Sequence, residues 1–131
     1  MITDAQRQEL IKLRIEQAEN TYQLALRLTE TNEFSTAINR IYYGMFYALL
    51  ALGLQNGYET SKHQQLLGWF NKEFVNTNKV SKELGKIVKK AFDRRMNADY
   101  ELLPMPQIDE MQSLLAEMQV FITSIKDYVT S

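Results

Sequence analysis

Apolar residues in this chain recur at intervals of three and four, which is the spacing of one face of an α-helix. Four long segments follow this pattern, at residues 4–31, 36–54, 80–98 and 107–128, and a shorter one lies at 61–75. We find no run of alternating polar and apolar residues of the kind that predicts a strand. The pattern predicts an all-α fold, an antiparallel up-down helical bundle of four long helices plus a shorter one.

The second segment, 36–54, is apolar around its whole circumference, which predicts a buried central helix. Its uncharged run from Ile41 to Leu54 is shorter than the roughly 20 residues that span a bilayer, so we expect no membrane association. One face of this helix carries Arg40, Tyr43 and Tyr47. These groups either reach solvent at the helix start or open onto a cleft, because an unpaired buried charge is strongly unfavourable.

Polar residues at the predicted helix starts are candidate N-caps, since their side chains accept hydrogen bonds from free backbone amides. Thr3 or Asp4 would cap the first helix, and Ser35 would cap the central one. Ser61 and Gln64 have the spacing of a capping box, which would start the third helix.

Composition narrows the classes of function. A chain of 131 residues with 45% hydrophobic content is expected to form a single domain over residues 1–131. With no cysteine and one histidine, it offers no thiolate or multi-histidine metal site, and we predict neither a metal nor a cofactor. The first thirty residues contain no apolar signal core, which favours a cytoplasmic location.

Charge is unevenly distributed along the chain. The net charge is -1, yet residues 71–95 hold eight basic and three acidic residues, while the rest of the chain is acidic. A stripe of lysines follows the fourth helical segment: Lys82, Lys86, Lys89 and Lys90. This distribution predicts a basic binding face on an acidic body.

The densest polar cluster is Arg95-Met-Asn-Ala-Asp-Tyr100, where the fourth helix approaches two prolines. Arg95 continues the apolar stripe of that helix and is expected to point inward. It either forms a structural pair with Asp99, four residues on, or contacts a phosphate while Asp99 orients it and Tyr100 stacks on a base. Asn97 would be an accessory group.

His63 lies in the first turn of the third helix. It is either a rim histidine without a chemical role or an accessory to the cleft. The positive end of the helix dipole disfavours protonation there, so we expect the imidazole to be mostly neutral.

Several of these residues together resemble the HEPN family, the higher eukaryote and prokaryote nucleotide-binding domain, and most closely its small stand-alone bacterial and archaeal branch. The motifs are Ala37-x-x-Arg40-x-Tyr42-Tyr43-x-x-Phe46, Ser61-x-His63 and Arg95-x-x-Ala98-Asp99-Tyr100. The resemblance implies a helical bundle that commonly forms a homodimer and is often encoded beside a minimal nucleotidyltransferase. Some members of the family are ribonuclease toxins in such pairs.

Catalytic members of the family carry an arginine followed, after four to six residues, by a histidine. Here Tyr100 stands at the four-residue spacing from Arg95, and Arg94 leads to Asp99 instead, so the motif lacks its imidazole. Enzymatic activity is therefore left open.

Three hypotheses follow from these observations. The first is a protein that binds a nucleotide, RNA or a nucleotidyltransferase partner through a polar cleft, as part of a toxin-antitoxin pair. The second is a divergent ribonuclease toxin, and the third is a purely structural module for dimerisation or for interaction with another chain. The cleft of the first hypothesis consists of Arg40, Tyr43, Arg95, Asp99 and Tyr100.

Overall fold

The structure, a computed structural model, describes residues 2–99 and 106–130, without the side chains of residues 98 and 99. It contains helices α1 (Asp4–Glu30), α2 (Phe34–Gln55), α3 (His63–Phe70), α4 (Lys82–Asp99) and α5 (Ile108–Thr130). A π-helical turn, Asn71–Val75, continues α3. The predicted all-α bundle of four long helices plus a shorter one is confirmed, and no strand occurs within the described ranges.

Helix α2 is the centre of the bundle, and it contacts α1, α3, α4 and α5. Its apolar side chains are buried on every side, and each buried large side chain contributes roughly 1.5–3 kcal/mol to folding. Of the helices described, α2 alone is long and apolar enough to cross a membrane, but 72% of its qualifying 18-residue stretch is buried inside the fold. Such burial is typical of a core helix.

Two polar contacts give the directions of the long helices. At one end of the bundle, Arg7 near the start of α1 donates to the carbonyl of Leu54 near the end of α2, at 2.9 Å. In the other pair of helices, Arg94 near the end of α4 bonds to Glu110 near the start of α5, at 2.7 Å. Both pairs of neighbouring helices are therefore antiparallel.

The start of α1 agrees with the sequence prediction, because Thr3 and Gln6 form a reciprocal capping box. The prediction that Ser35 caps α2 is wrong. Backbone bonds close the turn between the two helices, including one from Glu33 N–H to the carbonyl of Leu28 at 2.8 Å. This closure starts α2 at Phe34, so that Ser35 already lies inside the helix.

The predicted capping box at Ser61 and Gln64 is also wrong. Helix α3 begins at His63, and its N-cap residue is Lys62, whose side chain makes no capping hydrogen bond. Instead, the hydroxyl of Thr60 accepts from the Lys62 amide at 3.2 Å. Ser61 is therefore one residue too early to cap α3.

The segment between α2 and α3 runs back along α2, and this return carries His63 to the middle of that helix. Gly57 turns the chain with a φ of 72°, and the Tyr58 amide donates to the carbonyl of Gly53 at 2.8 Å. The approach is so close that a Cβ atom on Gly53 would lie 2.6 Å from the carbonyl oxygen of Tyr58. The ring of Tyr58 then stacks on Trp69 with a centroid distance of 4.8 Å.

We expect Gly53→Ala to lower the free energy of unfolding by about 1–3 kcal/mol, because the added methyl group meets backbone rather than a flexible side chain. The matched control is Gly68→Ala in α3, where a Cβ meets no atom within 4 Å. That change should stabilise the protein by about 0.5–1 kcal/mol, through the higher helix propensity of alanine. Urea unfolding of both variants is the measurement, and equal effects of the two changes would contradict the predicted steric role of Gly53.

Candidate functional site

Two cationic side chains from different helices converge on one aromatic ring. The guanidinium carbon of Arg40, on α2, lies 4.9 Å from the ring centroid of Tyr43, and that of Arg95, on α4, lies 5.1 Å from the same centroid. Both arginines and Tyr43 are partly exposed. The structure thus brings together three of the five residues that the sequence places in a cleft.

Arg40 is held by a neutral group. Its guanidinium donates from Nε and Nη2 to the side-chain oxygen of Asn39, with an Nε distance of 3.0 Å. It forms no ion pair with any residue that the structure describes. Because an amide oxygen does not cancel the charge, Arg40 keeps a full positive charge at the edge of the cluster.

His63 completes this cluster from α3. Its ring stacks on Phe46 with centroids 4.0 Å apart and planes inclined by 10°, and it meets the edge of Tyr43 at 5.4 Å. The hydroxyl of Tyr42 lies 2.8 Å from Nδ1 of His63. His63, proposed from the sequence as an accessory group, is therefore part of the same cluster as Arg95. We call Arg40, Tyr42, Tyr43, His63 and Arg95 the arginine-tyrosine cluster.

Both titratable partners in this hydrogen bond favour the neutral form. Burial lowers the pKa of His63 from 6.5, and the charge of Arg95 lowers it further. Burial raises the pKa of Tyr42 well above its usual value; Arg95 partly opposes this shift and Tyr43 adds to it. From the sequence, His63 is predicted to be neutral because of the helix dipole, whereas burial and Arg95 are the causes in the structure.

The other two predicted residues of the cleft, Asp99 and Tyr100, are not tested by the structure. Tyr100 lies outside the described residues, and so does the side chain of Asp99, whose backbone ends α4. The pairing of Arg95 with Asp99 stays a prediction. Asn97 is partly buried two residues beyond Arg95.

The lysine stripe on α4 is exposed but partly neutralised. Lys89 pairs with Asp93 and Lys90 with Glu117, each at 3.0 Å. Lys82 and Lys86 form no ion pair with residues in the described ranges. The stripe therefore carries less unpaired charge than the residue count implied.

Sequence reasoning missed two features of the site. Arg94 rather than Arg95 is the more buried arginine of α4, at 9% exposure, and Glu110 on α5 pairs with it. Tyr42, fully buried, holds His63. The signal for Arg94 was its spacing from Ile87 and Ala91 on the buried face, but nothing in the sequence could indicate that Tyr42 and His63 meet across 21 positions.

The chemistry of the cluster favours anions. Planar guanidinium groups bind phosphate through paired hydrogen bonds, and aromatic rings beside them offer a surface on which a base can stack. Within residues 2–99 and 106–130, no group of three or more acidic or imidazole side chains is arranged to hold a metal ion.

Comparison with known proteins places this chain in a family. The HEPN domain model matches residues 11–128, and the chain belongs to the HEPN family. It is 36% identical to a UPF0332 protein of Thermotoga maritima over 102 residues, which cover 78% of this chain and 77% of the relative. It is 34% identical to "Putative toxin MJ0142" of Methanocaldococcus jannaschii over 125 residues, 95% of this chain and 84% of the relative. A second protein of that organism, "Putative toxin MJ0605", is 31% identical over 118 residues, which cover 90% of this chain and 87% of the relative.

We expect the imidazole of His63 to titrate below pH 6.5. Arg95→Ala should raise this pKa, because removal of a nearby positive charge makes the imidazolium less unfavourable. The ring protons of this single histidine can be followed by NMR from pH 4 to 8. Arg27→Ala is the charge-matched control, since Arg27 is exposed on α1, and it should leave the pKa unchanged. A His63 pKa above 6.5 would show that the cluster does not disfavour the cation.

Proposed function

We propose that this HEPN protein binds single-stranded RNA, with the phosphate backbone held at the arginine-tyrosine cluster. The observation that carries the proposal is the convergence of Arg40 and Arg95 on the ring of Tyr43. The three side chains come from two helices and are partly exposed, so a ligand could reach them from solvent.

Electrostatics support an anionic ligand at this position. Two guanidinium groups beside one ring repel each other, and the ring quadrupole offsets only part of that repulsion. A phosphate between them would convert the repulsion into two charge-assisted contacts. Lys82 and Lys86 would add long-range attraction for a polyanion.

Aromatic side chains support RNA over an isolated phosphate. Tyr43 and Tyr47 lie side by side on α2 with ring centroids 6.1 Å apart, and both are partly exposed. Exposed aromatic rings beside a cationic groove are typical of proteins that stack the bases of single strands. A single nucleotide would use only some of these phosphate and stacking contacts.

At the cellular level, we propose a toxin that acts in a toxin-antitoxin pair. Two relatives carry the word toxin in their names, which supports this assignment. The HEPN resemblance adds a minimal nucleotidyltransferase as the partner and a homodimer as the assembly. The cytoplasm is the proposed location, on the composition of the first thirty residues. Tyr100 and Asp99 would contribute to the same cleft.

A ribonuclease is the second candidate function, and one contact favours it. The catalytic motif of the family lacks its histidine here, but His63 lies against the same tyrosine rings as Arg95. An imidazole from another helix would then stand near the arginine. This alternative requires His63 to transfer a proton during the reaction.

For RNA binding, we expect Arg40→Ala and Arg95→Ala each to weaken affinity by about 10- to 100-fold, the loss of one charged hydrogen-bonding contact. Fluorescence anisotropy with a short single-stranded RNA at low salt is the measurement. Each variant should also reduce the salt dependence, by roughly 0.7 in the slope of log K against log salt. Arg27→Ala removes the same charge from α1 and should change affinity less than about twofold. Binding that is unaffected by Arg95→Ala would refute the site, and competition by AMP alone would favour a nucleotide.

For the toxin, induced expression in a bacterial host should slow growth, and Arg95→Ala should relieve the effect. The integrity of total RNA from induced cells, and of RNA incubated with the purified protein, distinguishes an RNA-binding toxin from a ribonuclease. Intact RNA with slowed growth supports a binding toxin, whereas cleavage that His63→Ala abolishes supports the ribonuclease. A partner that copurifies from the native host even with Arg95→Ala and Asp99→Ala combined would favour a structural module.

A further inference from the structure

The hydroxyl of Tyr42 lies in a fully buried position, where it needs a hydrogen-bond partner. Tyr42 is 0% exposed, and within the described residues its hydroxyl contacts one polar atom, Nδ1 of His63, at 2.8 Å. A buried hydroxyl that donates to no acceptor is strongly disfavoured. Two proton arrangements are open to this pair, and they differ in whether that requirement is met.

In the first arrangement, the Tyr42 hydroxyl donates to an unprotonated Nδ1, and the imidazole carries its proton on Nε2. In the second, Nδ1–H donates to the Tyr42 oxygen, and the phenol proton has no acceptor among the described residues. Only the first arrangement satisfies both groups. The tautomer of His63 is thus determined by the burial of its partner.

We infer that Tyr42 holds His63 as the Nε2–H tautomer, and that this N–H is a third donor for a phosphate oxygen beside Arg40 and Arg95. The inference rests on the anion site proposed above and adds a neutral donor to it. Since Nδ1 faces the buried hydroxyl, Nε2 lies on the far side of the ring. His63 itself is partly exposed, and Nε2 has no hydrogen bond to the described part of the protein.

The surroundings keep this donor neutral. Among the side chains that the structure describes, the ionisable groups that face His63 are Tyr42 and Tyr43 from α2 and Arg95 from α4; Lys62 precedes it in its own segment. None of these described groups is acidic. Protonation of His63 would place a hydrogen on Nδ1, facing the phenol proton of Tyr42. Burial and the charge of Arg95 both lower the pKa of His63. The imidazole therefore supplies a hydrogen bond without a charge.

This tautomer bears on the role of His63 in RNA chemistry. A general base would need an unprotonated nitrogen toward the ligand, and a general acid at neutral pH would need an imidazolium. The Nε2–H tautomer provides neither. His63 is accordingly a positioning residue for the phosphate and does not replace the histidine absent from the catalytic motif.

The single histidine makes a direct test practicable, since long-range ¹H–¹⁵N spectra of the full chain contain one imidazole. At pH 7, Nδ1 should show the shift of an unprotonated nitrogen and Nε2 that of a protonated one. Tyr42→Phe removes the hydrogen bond, so the two tautomers should mix and the pKa should rise toward 6.5. Tyr47→Phe is the control on the same helix, because its ring contacts Tyr43 rather than His63. An unprotonated Nε2 in the wild-type protein would overturn the inference.

The donor role is tested by adding inorganic phosphate and, separately, a short single-stranded RNA. Each should shift the Nε2–H resonance, and His63→Ala should weaken RNA binding about fivefold. His63→Gln, which keeps an N–H donor, should restore much of that loss, as a purely structural role would not predict. If phosphate shifts Nε2 but RNA does not bind, the proposed function fails and the donor site stands. If neither ligand shifts Nε2, the donor role is overturned.

Discussion

The burial of α2 on every side is the constraint on which this structure depends. A helix that is apolar all round must be covered all round, and α1, α3, α4 and α5 supply that cover. Tyr42 is fully buried on the same helix, and its hydroxyl has a partner in His63 of α3, because burial removes water from a polar group. Arg95 of α4 lies against Tyr43 at the partly exposed edge of this packing, so the candidate site adjoins the core.

The period of the apolar residues predicted the helices, because burial of one apolar face of each helix is the main driving force of folding. The caps at Ser35 and Ser61 were mispredicted. Their positions depend on how the turns close: backbone hydrogen bonds close the turn before α2, and the hydroxyl of Thr60 accepts from the Lys62 amide before α3. A polar residue near a helix start is therefore weak grounds for placing that start.

The candidate site was predictable in part. Arg40 and Tyr43 share a face at a spacing of three, which local periodicity shows, and Arg95 lay close enough to the buried stripe of α4 to be included. Arg94 and Arg95 are about 100° apart on a helix and so lie on different faces, and the buried face is that of Arg94, which pairs with Glu110 on α5. The bond from Tyr42 to His63 depends on the return of the chain along α2, which a sequence pattern does not show.

Because the segment between α2 and α3 runs back along α2, this site differs from one built on a single sequence motif. A motif with arginine and histidine on one helix positions both side chains through their spacing in the sequence. Here the imidazole comes from α3, and its proton position depends on a buried phenol of α2. The loop that brings His63 back is possible because Gly53 leaves room for the carbonyl of Tyr58. The close packing of Tyr58 on Gly53 thus helps to bring the imidazole to Tyr42, and the hydrogen bond between them is the basis for assigning His63 to binding rather than to catalysis.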